Sequence, residues 1–430
     1  MNDLDALIAL RRNIHRHAEL PFLEVRTASL VLDELRKLPC EIRTGRDAMR
    51  KESVSHYPAE HERAAAARAA VALGVDASQA ERLAEHGTAI IADFSGNRPG
   101  PSWGIRFDMD ALPIMESDEP DHAPAAGGFR SGNGVMHACG HDGNTAIGVM
   151  LARRLADGDF AGKVRLLFQP AEEGSRGAAA MIPAGAAVGV DRFLGMHLGN
   201  SLPNGTMVGT AVGLQATTKF EAIFRGVAAH AAGGPQHGRN ALAAAATATM
   251  QLLALPRSSE GVTNVNVGTL HAGSATNIIP DFAEMTGEVR SDSEAVCADL
   301  FEGVRRVLET AAAMHRVSVD VQVTAEATTL DSDDELVDEV LDSARKRYGP
   351  EVLQRTAVLS ASDDASLFAA EVQRNGGLST YVLIGSGNPA PHHHPRFDID
   401  ESSMDIALNW LEDIIRSTSA GTVESLSTSR

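Results

Sequence analysis

The sequence predicts an α/β protein of two domains, and three observations carry that reading. The chain has 430 residues, beyond one ordinary core at roughly 100–200 residues per domain. Short apolar runs bounded by Gly and Pro alternate with segments of helical periodicity. After about Gln215 that alternation gives way to the order β-α-β-β-α-β, the split βαβ sandwich of a small ferredoxin-like unit. A composition of 43% hydrophobic, 22% charged and only 4% aromatic residues, rich in alanine, suits a globular, helix-rich chain.

Taken in order, Leu4 to about Ala18 and Ala28 to about Leu38 have helical periodicity, with Pro21 between them. Residues 44–87 are charged and Ala-rich and read as a helical insertion without a strand. Ala89–Phe94 and Trp103–Phe107 read as strands, the second delivering Asp108 and Asp110 at its end. A helix follows over Gly143–Leu155, then strands at Val164–Phe168, ending in QPAEEG, and at Phe193–Met196, ending in His197. Open α/β sheets place their sites at such strand ends.

The small unit comprises strands at Lys219–Phe224, Thr263–Leu270, Phe282–Val289 and Val317–Ala325, with helices at Arg239–Leu255 and Glu294–His315. From about Leu330 the larger domain resumes, with helices at Glu335–Arg347 and Met404–Arg416 around a strand at Tyr381–Ile384. The polar ending STSAGTVESLSTSR reads as frayed.

Several function classes are disfavoured. A net charge of −19 repels phosphate backbones and anionic lipid, so nucleic-acid binding is not expected. The first residues lack the order of a secretory signal, and Asn240–Pro256, a long charge-free stretch, is too weakly hydrophobic to span a bilayer. Cys40, Cys139 and Cys297 form no disulfide framework, and a thiol inside a polar cluster calls for a reducing compartment, which points to the cytoplasm.

Five groups carry the chemistry: Cys139 with His141; Glu172 with Glu173; His197; the run His392, His393, His394; and the pair Asp108/Asp110. Imidazole, thiolate and carboxylate suit zinc, while manganese leans to carboxylate. Each motif alone has a bland explanation, such as a solvated acidic face or a surface histidine. Together, at strand ends and in glycine-bounded loops, they offer ligands for two ions.

The motifs RFDMDALP (Arg106–Pro113), GVMHACGHDGNTAIG (Gly134–Gly148), LLFQPAEEGSRGA (Leu166–Ala178), MHLG (Met196–Gly199), ATTKF (Ala216–Phe220), AAHAAGGPQHGRNAL (Ala228–Leu242), VNVGTLHAGSATNIIP (Val265–Pro280), GEVRS (Gly287–Ser291) and HHPRFDIDE (His393–Glu401) run through nearly the whole chain. On these the sequence resembles the metal-dependent amidohydrolases of the aminoacylase and carboxypeptidase clan, and within it the aminobenzoyl-glutamate hydrolase type. The resemblance implies a dinuclear-metal aminopeptidase-like catalytic domain over residues 1–215 and 328–430. An inserted α+β domain over residues 216–327 would serve as lid and dimerisation unit.

Residue by residue, the resemblance implies that Cys139 bridges two divalent ions. His141 and His197 would complete one ion, Glu173 and His393 the other, with manganese favoured and zinc the alternative. His393 is chosen within its run by its spacing to Phe397. Glu172 would be the general base; His230, reaching across a dimer, would stabilise the oxyanion. Asn277 and Arg290 would bind substrate, and Asp108 and Asp142 would orient ligands. Asp363, in ASDDAS, stands where relatives commonly carry glutamate.

The expected activity is hydrolysis of an N-acyl amino acid, foremost p-aminobenzoyl-glutamate. The alternatives are other N-acyl amino acids, indole-amino acid conjugates or dipeptides, and a non-catalytic partner subunit. The expected assembly is a homodimer through the lid, with or without a related second subunit.

Overall fold

The computed structural model describes residues 3–359 and 361–418, so most of the polar ending lies outside the described residues. The chain first lays down β1 (Glu41–Thr44), β2 (Ile90–Ser95), β3 (Arg98–Asp108), β4 (Ala161–Gln169), β5 (Arg192–Leu198) and β6 (Met207–Val212). It then builds β7 (Ala216–Arg225), β8 (Ala229–His230), β9 (Asn264–Ala272), β10 (Ile278–Ile279), β11 (Phe282–Ser291) and β12 (Ser318–Ala327). It returns with β13 (Leu353–Val358) and β14 (Leu378–Ile384).

The large sheet has the order β1-β2-β4-β3-β5-β14-β6-β13. Its centre is parallel, β3 pairing with β4 and β5, and β5 with β14. Helices cover both faces, so the central strands read as continuous apolar runs. Alternate residues serve opposite layers: Ile90, Ala92 and Phe94 pack in one core with the helices Asp3–Arg16, His141–Leu155 and Ser402–Ser417, whereas Ala89 and Ile91 join the core under the helix Ala365–Arg374. The parallel centre points the C-terminal ends of β3, β4, β5 and β14 to one edge.

The separate four-stranded sheet is antiparallel in the order β12-β7-β11-β9, and the chain order β-α-β-β-α-β is the one its sequence pattern predicts. Its helices Ala241–Leu252 and Glu294–Met314 start where Asn240 and Ser293 accept the backbone N–H of Ala243 and Val296, supplying partners for otherwise unpaired donors. Both helices cover one sheet face, burying Phe220, Ala222, Phe224, Met285 and Val289. Each such large side chain contributes about 1.5–3 kcal/mol. The other face carries Lys219 and Glu221 of β7 and Glu288 and Arg290 of β11.

The sequence expectation omitted β1, β6, β8, β10 and β13 and the helices Ala123–Ala126, Gly177–Met181 and Ala365–Arg374. β1 and β13 are edge strands, and most of their residues are exposed or half-buried, so no apolar alternation marks them. The insertion does contain the helices Glu60–Ala72 and Ala77–His86. It also touches the small sheet: Ser55 Oγ donates to the Val323 carbonyl at 2.8 Å and His56 lies 3.6 Å from Glu221.

Candidate metal centre

HACGHD occupies the step between β3 and the buried helix His141–Leu155. Gly140, at φ 92°, turns the chain into that helix in a conformation glycine tolerates best, which points His141 and Asp142 in different directions. QPAEEG follows β4 directly; Ala171 and Ser175 both have φ 55°, sparsely populated for residues with a Cβ. Glu24 holds that turn, its Oε1 accepting from the N–H of Phe22 (2.8 Å) and Ala171 (3.0 Å) and its Oε2 from the Thr88 hydroxyl (2.7 Å). Burial, reinforced by Asp110, pushes the Glu24 carboxyl up to about 8.

Around Cys139 two triples of donors meet. One donor atom from each of Cys139, His141 and His197 lies within 4.8 Å of the others, and the same holds for Cys139, Glu173 and His393. Cys139 belongs to both. Hydrogen bonds settle which nitrogens are presented. His141 Nδ1 is 2.9 Å from the Asp110 carbonyl and His197 Nδ1 is 2.7 Å from the Leu198 carbonyl. A carbonyl only accepts, so each Nδ1 carries the proton and each Nε2 offers its lone pair.

His141 Nε2 and Glu173 Oε1 are buried with no hydrogen-bond partner among the described residues. Buried polar atoms are costly when unpartnered, and two of them facing a thiol and a second carboxylate fit a divalent cation. Neither Glu172 nor Glu173 pairs with lysine or arginine among the described residues; their ionic neighbours are His141, 3.6 Å from Glu172, and His393, 3.2 Å from Glu173. Burial, with Glu173 and Glu172 adding, pushes the Cys139 thiol well up. Burial, then Asp363 and Glu173, likewise raises the Glu172 carboxyl. For His141 burial opposes the charge, but Asp108 and Cys139 prevail and raise its pKa well above the ordinary value. A bound cation would reverse the balance at all three groups.

His392 is the neighbour of greatest consequence within its run. Its Nε2 accepts the Asn200 N–H at 2.9 Å, so Nδ1 carries the proton and directs it at Cys139 Sγ, 3.1 Å away. A Cβ at Gly199 would come within 2.7 Å of that ring, which explains the glycine of MHLG. His393, by contrast, is placed by its own N–H bond to the Ala138 carbonyl (2.8 Å) and leaves its ring beside Glu173.

The aspartates divide the supporting work. Asp110 accepts the backbone N–H of both Glu172 (2.9 Å) and Glu173 (3.0 Å), clamping the glutamates while its carbonyl orients His141. Asp108 lies 3.7 Å from His141 Nε2 and accepts from Asn144 at 2.8 Å. Burial opposes its charge, but Arg106 outweighs it and holds the carboxyl near 2. Arg106, fully buried, also meets Asp363 (2.9 Å) and Asp364 (3.4 Å), and the Tyr381 hydroxyl donates to Asp363. Asp142 turns away from the donors: it pairs with Arg11 at 2.7 Å and with His15 Nδ1 at 2.8 Å.

Beside the cluster opens a cavity of about 550 Å³ lined by Cys139, Glu172, Glu173, His197 and Tyr381 from the large domain and by Lys219 and Arg290 from the small sheet. His230 and Asn277 do not line it. His230 is exposed on β8 beside β10, its Nδ1 accepting from Ala232 and Gly233, and Asn277 is exposed next to it. Sequence reasoning missed the clamp by Asp110, the His392 bond to sulfur, Glu24, and Lys219 in ATTKF. Only the short spacing of Asp108 and Asp110 and the polar position within an apolar strand at Lys219 hinted at them.

Comparison with known proteins agrees with this geometry. The sequence profile of peptidase family M20/M25/M40 matches residues 104–417. The chain is 41% identical to the indole-3-acetyl-aspartic acid hydrolase of Enterobacter agglomerans over 93% of each chain. It is 38% identical to one subunit of the p-aminobenzoyl-glutamate hydrolase of Escherichia coli, again over 93% of each. Among solved structures, an aminobenzoyl-glutamate utilization protein from Klebsiella pneumoniae superposes with a TM-score of 0.82 at 34% identity, covering 96% of this chain and 95% of that one. A dinuclear metal binding peptidase of Bacillus subtilis gives 0.67 at 26% identity, covering 96% and 98%.

Proposed function

This chain belongs to peptidase family M20/M25/M40 and is a metal-dependent amide hydrolase, and from that premise we propose that it cleaves N-acyl derivatives of acidic amino acids, foremost p-aminobenzoyl-glutamate to p-aminobenzoate and glutamate. The observation that carries the reading is Cys139, shared by two donor triples, with Glu172 beside them. Indole-3-acetyl-aspartate is the second substrate to weigh, because the relative named for it is the more similar of the two hydrolases.

In this reading Cys139 would be shared by two divalent ions, with His141 and His197 holding one and Glu173 and His393 the other. Manganese is favoured and zinc is the alternative. Such ions polarise an amide carbonyl and acidify water. Glu172 removes the proton of the attacking water and returns it to the leaving amine. Base catalysis of this kind is worth roughly 10²–10⁴-fold. Asp110 keeps Glu172 and Glu173 in register for the two tasks.

Within one chain His230 and Asn277 stand outside the cavity, which supports their service to a partner's site in a homodimer formed through the small domain. Exposed Leu270 and Phe282 on its strands favour such an interface. A related second subunit is the alternative assembly. No helix among the described residues is long and apolar enough to cross a membrane, and three free cysteines favour the cytoplasm.

The test is p-aminobenzoate release by the purified chain after chelation and reloading with manganese. Turnover that disappears with the chelator is the expected result. Turnover that persists without metal would defeat the reading.

A further inference from the structure

The cavity holds two cations in different states. Arg290 is already engaged: its Nε and Nη2 meet Glu288 at 3.0 and 3.1 Å, and its Nη1 reaches the Ser362 hydroxyl at 3.3 Å. Lys219 is half-buried on the same wall, and its side chain has no hydrogen bond or ion pair among the described residues. Lys219 faces Glu288 across the β7–β11 ladder, and Arg290 is two residues further along. Arg290 is therefore the diagonal neighbour of Lys219 on one sheet face, at about 7–8 Å. An ammonium with three unused donors, beside a cavity and in a chain of net charge −19, is a place for an anion.

From this arrangement we propose that Lys219 is the subsite for a second carboxylate, the side-chain carboxylate of an N-acyl aspartate or glutamate. The inference rests on the amidohydrolase reading above and adds to it the residue that selects acidic amino acids. Every N-acyl amino acid has an α-carboxylate, and Arg290 serves it with a guanidinium whose charge Glu288 tempers. Lys219 adds a positive charge that a monocarboxylate would leave unmatched. A dicarboxylate matches both positions with one rigid pair of strands, so discrimination costs no rearrangement.

The experiment compares p-aminobenzoyl-glutamate with p-aminobenzoyl-glutamine, which differ by one charge and little in shape. It also measures calorimetric binding of the hydrolysis-resistant p-aminobenzyl-glutamate and p-aminobenzyl-glutamine. The wild-type chain should prefer the acid by roughly 10–100-fold in KM and in Kd, the range for a hydrogen bond to a charged group. Lys219→Gln should remove most of that preference through the acid alone, with kcat within about threefold and the glutamine compound unaffected. Lys219→Arg should retain it.

A preference that survives Lys219→Gln, or an equal loss on both compounds, overturns the subsite while hydrolysis by the wild-type chain keeps the amidohydrolase reading. Calorimetric preference that depends on Lys219, with neither compound hydrolysed, upholds the subsite and strikes the hydrolytic reading instead.

Discussion

Adjacent residues at the start of one helix belong to opposite kinds of polar cluster. Asp142 sits in a network in which Arg11 meets Asp142, Asp398 and Glu401, and His15 meets Asp142 and Glu116 at 2.8 and 2.9 Å. Each of those carboxylates meets a cation, and three nitrogens of Arg11, Nε, Nη1 and Nη2, are each bonded to one of them. His141 faces a cluster of two glutamates and a thiol with unpartnered atoms and no arginine or lysine among the described residues. Both are buried; only the second lacks a guanidinium. Buried carboxylates tied to a guanidinium thus mark a scaffold, and buried donors without one mark a ligand site.

The comparison is broken most directly at Glu172. Glu172→Gln should lower turnover by about 10²–10⁴-fold, leave metal content by elemental analysis unchanged, and leave the urea midpoint of the metal-free chain equal or higher, since one of several crowded acids is removed. Normal activity would end the assignment of the base. Truncation in the Arg11 network should do the reverse. Arg11→Met removes the buried cation that Asp142, Asp398 and Glu401 share and is expected to cost about 3–5 kcal/mol in urea unfolding. A loss below about 1 kcal/mol, the size of a surface pair, would show that the network is not the scaffold described.

The Arg11 network also sets a pH dependence. Burial and Arg11 oppose a charge on His15, but its bonds to Asp142 and Glu116 prevail and raise its pKa from 6.5 to about 9. A group whose pKa is raised on folding stabilises fully below its unfolded value and loses that contribution as pH climbs through the folded one. Stability should therefore fall by at most about 3 kcal/mol between pH 6.5 and 9, the size that shift allows. His15→Gln should lack that component, and an identical slope in both proteins would refute it. The smallest effect belongs to His392. His392→Asn should weaken metal binding by about 10–100-fold, as loss of a supporting bond to a ligand does, with the urea midpoint of the metal-free chain unmoved. Metal affinity equal to wild type would mean that the Nδ1 bond to sulfur has no influence.

Much was legible along the chain. Strands that end in Asp108, QPAEEG and His197, a helix that follows HACGHD, and a β-α-β-β-α-β unit follow from apolar periodicity, turn residues and capping, all local. The potential donors Cys139, His141, Glu172, Glu173 and His197 stood out only together, at strand ends and in glycine-bounded loops, since each motif alone has a bland explanation. β13 escaped notice because an edge strand has no buried face to impose alternation.

Tertiary structure decided the rest. Asp110, from RFDMDALP, clamps the glutamates, whereas Asp142, inside HACGHD, is drawn to Arg11 across 131 residues of sequence. His392 is committed to Asn200 and Cys139 while its neighbour His393 faces Glu173. Among the described residues the Lys219 side chain has no partner, and Glu288 across the ladder is taken by Arg290. Periodicity along a chain tells which face of its own element a residue occupies. Which nitrogen carries a proton, which carboxylate is already satisfied and which cation remains open depend on partners supplied by distant segments, and those partners exist only once the sheet has gathered its strand ends.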